Sequence, residues 1–267
     1  MKLSLQEGLY TAQDFKWFLR DAKDWGFDAV EVWGEGLDER LDEVVRTLKE
    51  ENVVASSVCP GGGGIRGSIL SDSMEERATA EADIAGLIEC CAKLGGAGLV
   101  LVPEFGVKKF MRLYPDHGDF ESRKKMFAER LEMLAQRAER LGVKILLEPL
   151  NRYESFFLLT VGQGAELCRM SGSKAVRVMA DLFHMGIEED NLIGAIEANG
   201  EWISHVHIVD TNRKLPGQGD RDFAAIFKAL KKAGFDGYLC YECGIVGKAA
   251  NEVPLSVAMM RKIMTEI

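Results

Sequence analysis

The sequence predicts a single (β/α)8 barrel that uses residues 1–267, and three observations carry this prediction. Eight short apolar or β-rich segments alternate with amphipathic segments, a pattern that indicates parallel strands joined by crossover helices. Dividing 267 residues among eight units gives about 33 residues per unit, close to what such a barrel needs. No G-x-G-x-x-G motif follows the first strand, which disfavours an open doubly wound sheet.

The predicted strands are short and bounded by polar or glycine-containing segments, as expected for strands buried in a parallel sheet. They are Leu3–Leu9, Ala29–Trp33, Val53–Val58, Gly98–Pro103, Val143–Pro149, Val176–Asp181, Ile203–Val209 and Tyr238–Cys243.

Seven stretches between the strands have helical spacing of apolar residues. They are Asp14–Trp25, Leu41–Glu50, Met74–Leu94, Ser122–Leu141, Gly164–Met170, Leu192–Ala198 and Phe223–Ala233. Several end at a glycine, among them Gly26, Gly142 and Gly234, which can adopt the left-handed conformation that ends a helix. No linker rich in proline or serine divides the chain, so we expect one domain.

The net charge of −9 and the pI near 5.1 disfavour binding to nucleic acid or to an anionic membrane surface. The N-terminal residues lack the apolar core of a signal peptide, and no run of about 20 apolar residues could span a bilayer. We therefore expect a cytoplasmic protein.

The six cysteines show no disulfide-framework spacing, in keeping with a reducing compartment. Cys240 and Cys243 form a C-x-x-C pair within the last predicted strand. Residues three apart in a strand face opposite sides, so we do not expect this pair to bind a metal or to be redox-active.

Four consecutive strands end in polar residues that an apolar strand has little reason to carry: Glu148, Asp181, His207 and Glu242. The carboxyl ends of barrel strands build the active site, so these side chains should face one another. Three carboxylates in a shielded pocket repel one another unless a cation compensates them. An oxygen-rich set with one imidazole suits Mn²⁺, Mg²⁺ or Co²⁺, and Zn²⁺ stays an option. His205 shares the face of His207 two residues deeper, where it would support the site without being a ligand.

Three motifs resemble the xylose-isomerase-like barrel superfamily, and within it the ketose 3-epimerases that act on tagatose and psicose. They are Glu148-Pro-Leu-Asn-Arg-Tyr-Glu154, Asp181-Leu-Phe-His184-Met185, and His207 to Arg213 followed by Pro216-Gly-Gln-Gly219. The resemblance implies one divalent metal, with Mn²⁺ first, held by Glu148, Asp181, His207 and Glu242. It implies Glu148 and Glu242 as catalytic residues that move a proton through a metal-stabilised enediolate.

The same resemblance implies that Glu154, His184 and Arg213 hold the sugar substrate. Relatives in this superfamily are often dimers or tetramers, so we expect a homo-oligomer. Ketose 3-epimerases usually place a tryptophan after the fourth strand to form a wall of the pocket. The segment from Glu104 to Asp119 has none, and Tyr114 is the candidate substitute.

Several alternative functions share the barrel. One is an isomerase of hydroxypyruvate or of a sugar phosphate. A phosphorylated substrate would need a cationic or amide-rich anchor, for which the candidates are Lys108, Lys109, Arg112 and Arg66 with the glycine run Gly61–Gly64. A dehydratase acting on an inositol-derived ketone could use the same metal and base. A DNA-repair enzyme of the endonuclease IV type needs more histidines than the four present, and a non-catalytic sugar-binding barrel would not need both glutamates.

Overall fold

Eight parallel strands close into a barrel in the computed structural model, in chain order from β1 to β8. The structure describes residues 1–61, 64–106 and 118–267. Strand β1 pairs with β8, with Ser4 opposite Cys240, and this pairing completes the ring. The predicted (β/α)8 barrel is confirmed.

The four polar residues lie at or next to the carboxyl ends of their strands, and His207 is the last residue but one of β7. β5 stops one residue before Glu148, β8 stops one residue before Glu242, and β6 ends at Asp181 itself. The bounds are β1 Lys2–Gln6, β2 Ala29–Trp33, β3 Val54–Cys59, β4 Gly98–Leu101, β5 Ile145–Leu147, β6 Val176–Asp181, β7 Ile203–Ile208 and β8 Tyr238–Tyr241.

The helices pack around the barrel, and two of them were absent from the sequence prediction. These are α6, which follows β6 without an intervening loop, and α9, which ends the chain. The bounds are α1 Phe15–Asp24, α2 Leu37–Glu51, α3 Met74–Lys93, α4 Gly118–Leu141, α5 Val161–Ser171, α6 Leu182–Glu188, α7 Leu192–Asn199, α8 Phe223–Lys232 and α9 Ala249–Glu266, with a 3-10 turn at Gly200–Trp202. Among the described residues, no helix has the length and apolar character needed to cross a membrane.

The interior of the barrel is divided into an apolar half and a polar half. Val100, Leu146 and Met179 from β4, β5 and β6 form a buried cluster inside the barrel, separate from the main core beneath the helices. Buried polar side chains project from the strands on the other side, namely Ser4, Gln6, Glu31, Ser57, His205 and His207. Burying a polar side chain costs free energy unless it is hydrogen-bonded. The polar half of the barrel interior is therefore the candidate location of the functional site.

Candidate functional site

The structure brings together the four strand-end residues Glu148, Asp181, His207 and Glu242. Each offers one ligand atom, and these four atoms lie within 4.8 Å of one another. Asp181 and His207 are fully buried, whereas about a quarter of the Glu242 side chain is exposed. The set has the donor types and the spacing of a divalent-metal site.

Asp181 gives an independent test of whether a metal ion fits here. Its Oδ1 atom caps helix α6 by accepting hydrogen bonds from the backbone N–H groups of Phe183, at 2.6 Å, and His184, at 3.3 Å. Its Oδ2 atom is buried and has no hydrogen-bond partner among the described residues. A buried carboxylate oxygen left without a donor is costly, and a cation between the four residues would satisfy it.

The ring of His207 is held by two carboxylates on its two sides. Nδ1 lies 3.1 Å from Glu242 Oε2 and 3.7 Å from Asp181 Oδ2, so this nitrogen faces the candidate metal position. Nε2 lies 3.1 Å from the carboxylate of Glu31. A metal-binding histidine usually donates its other N–H to a carboxylate, and Glu31 is placed to accept that proton.

Glu31 was not predicted as a site residue, although it is the one charged residue within β2. Its buried carboxylate accepts hydrogen bonds from Ser57 Oγ at 2.6 Å and from Gln6 Nε2 at 2.9 Å. The same Gln6 nitrogen lies 3.1 Å from Glu242 Oε1, so Gln6 links the two glutamates. A lone charge at an inward position of an apolar strand was the signal that could have identified Glu31.

His205 lies one layer deeper than His207, as the sequence predicted. Its Nε2 atom is 3.3 Å from Glu31 and 3.4 Å from Ser57 Oγ. Glu31, His205, His207 and Cys240 also come close enough to resemble a second metal site. Because Glu31 already accepts hydrogen bonds from Gln6 and Ser57, this deeper group is compensated without a cation.

The electrostatics differ sharply between the carboxylates of the site. Burial, together with the charges of Glu242, Asp181 and Glu31, raises the pKa of Glu148 well above its usual range. Burial alone would also raise the pKa of Asp181, but His184 and His207 outweigh it and hold that pKa well below the ordinary value. Burial alone would lower the pKa of His207, but Glu31 and Glu242 raise it well above normal. A group of this charge density is typical of a functional site.

His184 points a hydrogen-bond donor into the site. Its Nδ1 atom accepts from the backbone N–H of Asn151, at 3.2 Å, and from the Asn151 side-chain amide, at 2.7 Å. The ring proton therefore resides on Nε2, which lies 3.8 Å from Glu148 Oε1 and 3.9 Å from Asp181 Oδ2.

Glu154 and Arg213 form the rim of the same site. Arg213 donates to Glu154 Oε1 at 3.1 Å, and its guanidinium lies over the Phe183 ring, 4.5 Å from the centroid. Asn151 donates to the same Glu154 oxygen at 3.0 Å, so Arg213 is connected to His184 through Glu154 and Asn151. Arg213 has a φ of +58°, a strained conformation for a side-chain-bearing residue.

A cavity of about 330 Å³ opens above this group. All three residues predicted to bind substrate, Glu154, His184 and Arg213, line it, and so do Glu148 and Glu242. Asp181 and His207 lie buried beneath it. The arrangement separates a buried layer of ligands from an accessible layer that a small molecule could contact.

Other residues that the sequence singled out have different outcomes. Arg66 pairs with Asp83, at 2.6 Å, and lines a neighbouring cavity rather than this one. Lys108, Lys109, Arg112 and Tyr114, and the middle of the Gly61–Gly64 run, lie outside the described residues. Cys240 and Cys243 are free thiols, Cys240 fully buried inside the barrel and Cys243 partly exposed.

Comparison with known proteins gives a consistent result. A family model described as a xylose isomerase-like TIM barrel matches residues 19–263. The 3-dehydro-D-guloside 4-epimerase of Escherichia coli is 33% identical over 244 residues, which cover 91% of this chain and 92% of that protein. The D-psicose 3-epimerase of Ruminiclostridium cellulolyticum is 28% identical over 260 residues, covering 89% of this chain and 83% of that protein.

A solved structure agrees over nearly the whole chain. The crystal structure of a 3-keto-D-glucoside 4-epimerase from E. coli superposes with a TM-score of 0.87 at 32% sequence identity. The match covers 98% of this chain and 99% of that one.

Proposed function

Because the chain belongs to the xylose isomerase-like TIM barrel family, we propose that it is a metal-dependent sugar epimerase of the ketose 3-epimerase type. The observation that carries the proposal is the pair Glu148 and Glu242, which line one cavity and flank Asp181 and His207. Two carboxylates that converge on one small-molecule site are what the inversion of a carbon next to a ketone requires.

The reaction removes one proton from a carbon atom of the sugar and returns one to the same carbon. One of the two glutamates takes the proton from the carbon beside the ketone, and the other returns a proton from the opposite face, which inverts that carbon. A divalent cation held by Glu148, Asp181, His207 and Glu242 would supply the positive charge that makes this proton acidic. We propose Mn²⁺, which suits an oxygen-rich set with one imidazole.

The remaining residues hold the oxygens of the sugar. His184 presents its Nε2–H beside Glu148 and can donate to the oxygen on which negative charge develops. Arg213, oriented by Glu154 and Phe183, can bind the hydroxyl groups at the rim. Glu154 accepts from Arg213 and Asn151, so it also keeps the rim in place.

We also propose that the chain forms one domain. Strands from both ends of the sequence pair in the closing β1–β8 ladder, and α9 returns to pack on the barrel. Ser256 of α9 donates to the hydroxyl of Tyr241 in β8, at 3.1 Å. Both ends of the chain are therefore needed for the same core.

A second candidate reaction is the 4-epimerisation of a glycoside that carries a ketone at carbon 3. The E. coli relative named for a guloside 4-epimerase shares more identity with this chain than the psicose 3-epimerase does. The chemistry is the same, because the inverted carbon again lies next to a ketone.

Exchange of solvent deuterium tests the proposal directly. Mn²⁺-loaded protein is incubated in D₂O with a panel of ketoses and with a 3-oxo glycoside. We expect deuterium at carbon 3 of a ketose, or at carbon 4 of the oxo glycoside, together with the epimer. Exchange at carbon 1 or 2 alone would indicate an aldose–ketose isomerase, and nicking of abasic DNA would refute the proposal.

The two carboxylates are tested by the variants Glu148→Gln and Glu242→Gln. We expect each to lower turnover by roughly 10²–10⁴-fold, the usual contribution of general acid–base catalysis. Glu39→Gln, an exposed carboxylate on α2, is the matched control. Metal affinity is measured for each variant, so that loss of the base is distinguished from loss of the ion. If both variants keep full turnover, the two-carboxylate mechanism is wrong.

A further inference from the structure

Trp33 lies at the mouth of the barrel, directly above the candidate metal ligands. It ends β2 on the same inward face as Glu31, whose carboxylate is 3.1 Å from His207 Nε2. Two residues along a strand correspond to about 6.6 Å, so the indole sits one layer above the level of His207. Trp33 lines the cavity that also contains Glu148 and Glu242.

Two glycines form a slot that fits this indole ring. A Cβ atom at Gly8 would lie 2.3 Å from Trp33 Nε1 at one edge of the indole, and a Cβ atom at Gly61 would lie 2.2 Å from Cε3 at the opposite edge. Both glycines have positive φ values, +92° and +87°, which other residues rarely adopt. The loops after β1 and β3 thus contact Trp33 as closely as a backbone can.

An ion pair fixes the backbone of Trp33. Glu7 accepts from the Trp33 N–H at 2.8 Å and binds Arg40 through both carboxylate oxygens, at 2.7 and 2.8 Å. Arg40 in turn donates to the Trp33 carbonyl at 3.0 Å. An aromatic side chain held this firmly from the backbone and from both sides is a rigid surface rather than an adaptable one.

The cavity has two chemically different walls. The wall from β5 to β8 carries Glu148, Glu154, His184, Arg213 and Glu242. As far as the described residues form it, the opposite wall is mainly apolar and carries Trp33, Ile65, Ile69, Val102 and Phe105. Ser68 and Glu104 are the polar side chains on the apolar side among the described residues, and Glu104 already accepts from Phe156 N–H.

We propose that Trp33 is a platform for the C–H face of a ring-closed sugar, and that the site takes a glycoside of an oxo sugar in preference to a free open-chain ketose. This proposal rests on the second candidate reaction described above, the 4-epimerisation of a 3-oxo glycoside at the same site. Trp33 would be a specificity-determining residue that binds the part of the substrate away from the reacting carbon.

The difference between the two substrate forms follows from desolvation. An open-chain ketose carries hydroxyl groups along its length, and those against the apolar wall would lose water without gaining a partner. A closed glucopyranoside ring carries its hydroxyl groups around its edge and axial C–H bonds on its faces, so an indole can cover one face without loss of hydrogen bonds. The polar wall is then left to bind the ketone and its neighbouring hydroxyl.

Kinetics of Trp33 variants test the proposal. We compare wild-type protein with Trp33→Ala and Trp33→Phe, using methyl 3-oxo-β-D-glucopyranoside and D-fructose as probes. Trp17→Phe, at an exposed tryptophan on α1, is the matched control. We expect wild type to prefer the glycoside in kcat/KM. Trp33→Ala should raise KM for the glycoside roughly 10- to 100-fold, the range for losing a buried aromatic contact, with kcat within about threefold.

Trp33→Phe keeps an aromatic face and should retain most of the affinity. It keeps the proposal testable if the alanine variant does not fold. The proposal is overturned if wild type prefers D-fructose, if Trp33→Ala affects both probes equally or neither, or if it lowers kcat alone.

If wild type turns over neither probe, the proposed function has failed, and binding of methyl β-D-glucopyranoside decides the role of Trp33. A change in tryptophan fluorescence that is lost in Trp33→Phe and kept in Trp17→Phe supports the platform, and any other result overturns it.

Discussion

At the scale of single residues, two of the four candidate ligands, Asp181 and His207, also make contacts that fix their orientation. Asp181 uses one oxygen to cap α6 and leaves the other without a partner. His207 directs one nitrogen at Glu242 and Asp181 and the other at Glu31. The protein therefore fixes the orientation of both side chains, which is the preorganisation that metal sites require.

Glu31 should determine how well His207 binds a metal ion. We expect Glu31→Gln to weaken Mn²⁺ affinity by roughly 10- to 100-fold, as is common when the partner of a metal-binding histidine is lost. The amide keeps the size of the side chain but removes the charge that orients and polarises the imidazole. Competition with a metal chelator measures the effect independently of turnover.

Glu39→Gln removes an exposed carboxylate from α2 and serves as the control, with unchanged affinity expected. A Glu31→Gln protein that binds Mn²⁺ as tightly as wild type would show that the hydrogen bond to His207 Nε2 has no influence on the metal.

At the scale of elements, the segment between β7 and α8 is organised around the buried carboxylate of Asp210. Oδ1 accepts from the backbone N–H of Arg221 at 3.0 Å, and Oδ2 accepts from Gly217 N–H at 2.9 Å. A Cβ atom at Gly219 would lie 2.2 Å from Oδ1, which explains the second glycine of the P-G-Q-G sequence. This turn carries Arg213 to the rim of the cavity.

The stability contributed by Asp210 should depend on pH. Burial alone would raise the pKa of Asp210, but hydrogen bonds from Arg221, Thr211, Gly217 and Gly219 lower it. A carboxyl group with a lowered pKa stabilises the fold above its unfolded pKa of about 3.9, and this stabilisation is lost as the pH falls through the folded pKa.

We expect Asp210→Asn to lower the free energy of unfolding by about 1–3 kcal/mol at pH 7, because an amide presents N–H groups to backbone donors. Urea unfolding at pH 7 and pH 3 measures the difference, which should shrink at the lower pH. Asp236→Asn, at an exposed aspartate, is the control. An equal difference at both pH values would contradict the role given to the ionised carboxylate.

The two helices missing from the prediction, α6 and α9, differ in whether their sequences show a periodic apolar pattern. Helix α6 has only seven residues and begins at once after β6, so it shows too few apolar repeats for a periodic pattern. Helix α9 does carry a pattern, with Val253, Val257 and Met260 buried at helical spacing. Pro254 interrupts that segment, and proline inside a helix is normally a reason to end one.

At the scale of the whole molecule, closure of the barrel places an apolar cluster and a group of buried polar side chains in one interior. β4, β5 and β6 contribute the apolar cluster of Val100, Leu146 and Met179. The strands from β7 through β8 and β1 to β3 contribute the hydrogen-bonded polar groups around Glu31 and His207. The repulsion among Glu148, Asp181 and Glu242 opposes this arrangement in the absence of a cation.

Metal binding should therefore stabilise the entire fold. We expect Mn²⁺ at 100 times its Kd to raise the free energy of unfolding by about 2.7 kcal/mol, with a midpoint of thermal unfolding that rises with Mn²⁺ concentration. Asp181→Asn should abolish most of this dependence. Thermal unfolding with and without chelator provides the measurement, and a midpoint that does not respond to divalent ions would contradict the metal site.

The sequence by itself determined the barrel and the four strand-end residues, because both depend on local patterns. Alternation of strands and helices predicts the parallel ring, and a polar residue after an apolar strand can be located without knowing its neighbours. Glu154, His184 and Arg213 line one cavity, and the substrate-binding role that the motifs imply for them stays a prediction.

Only the tertiary structure decided the roles of Glu31 and Trp33. Glu31 meets His207 across 176 residues of sequence, and that contact exists because the closed ring brings side chains of β2 and β7 together inside the barrel. Trp33 ends an apolar strand and belongs to no motif, and the resemblance to ketose 3-epimerases implied a wall tryptophan in a different loop, the one after β4. The slot between Gly8 and Gly61 forms because β1 and β3 pair with β2 on either side, so that the loops after them flank Trp33, and no local pattern records this contact.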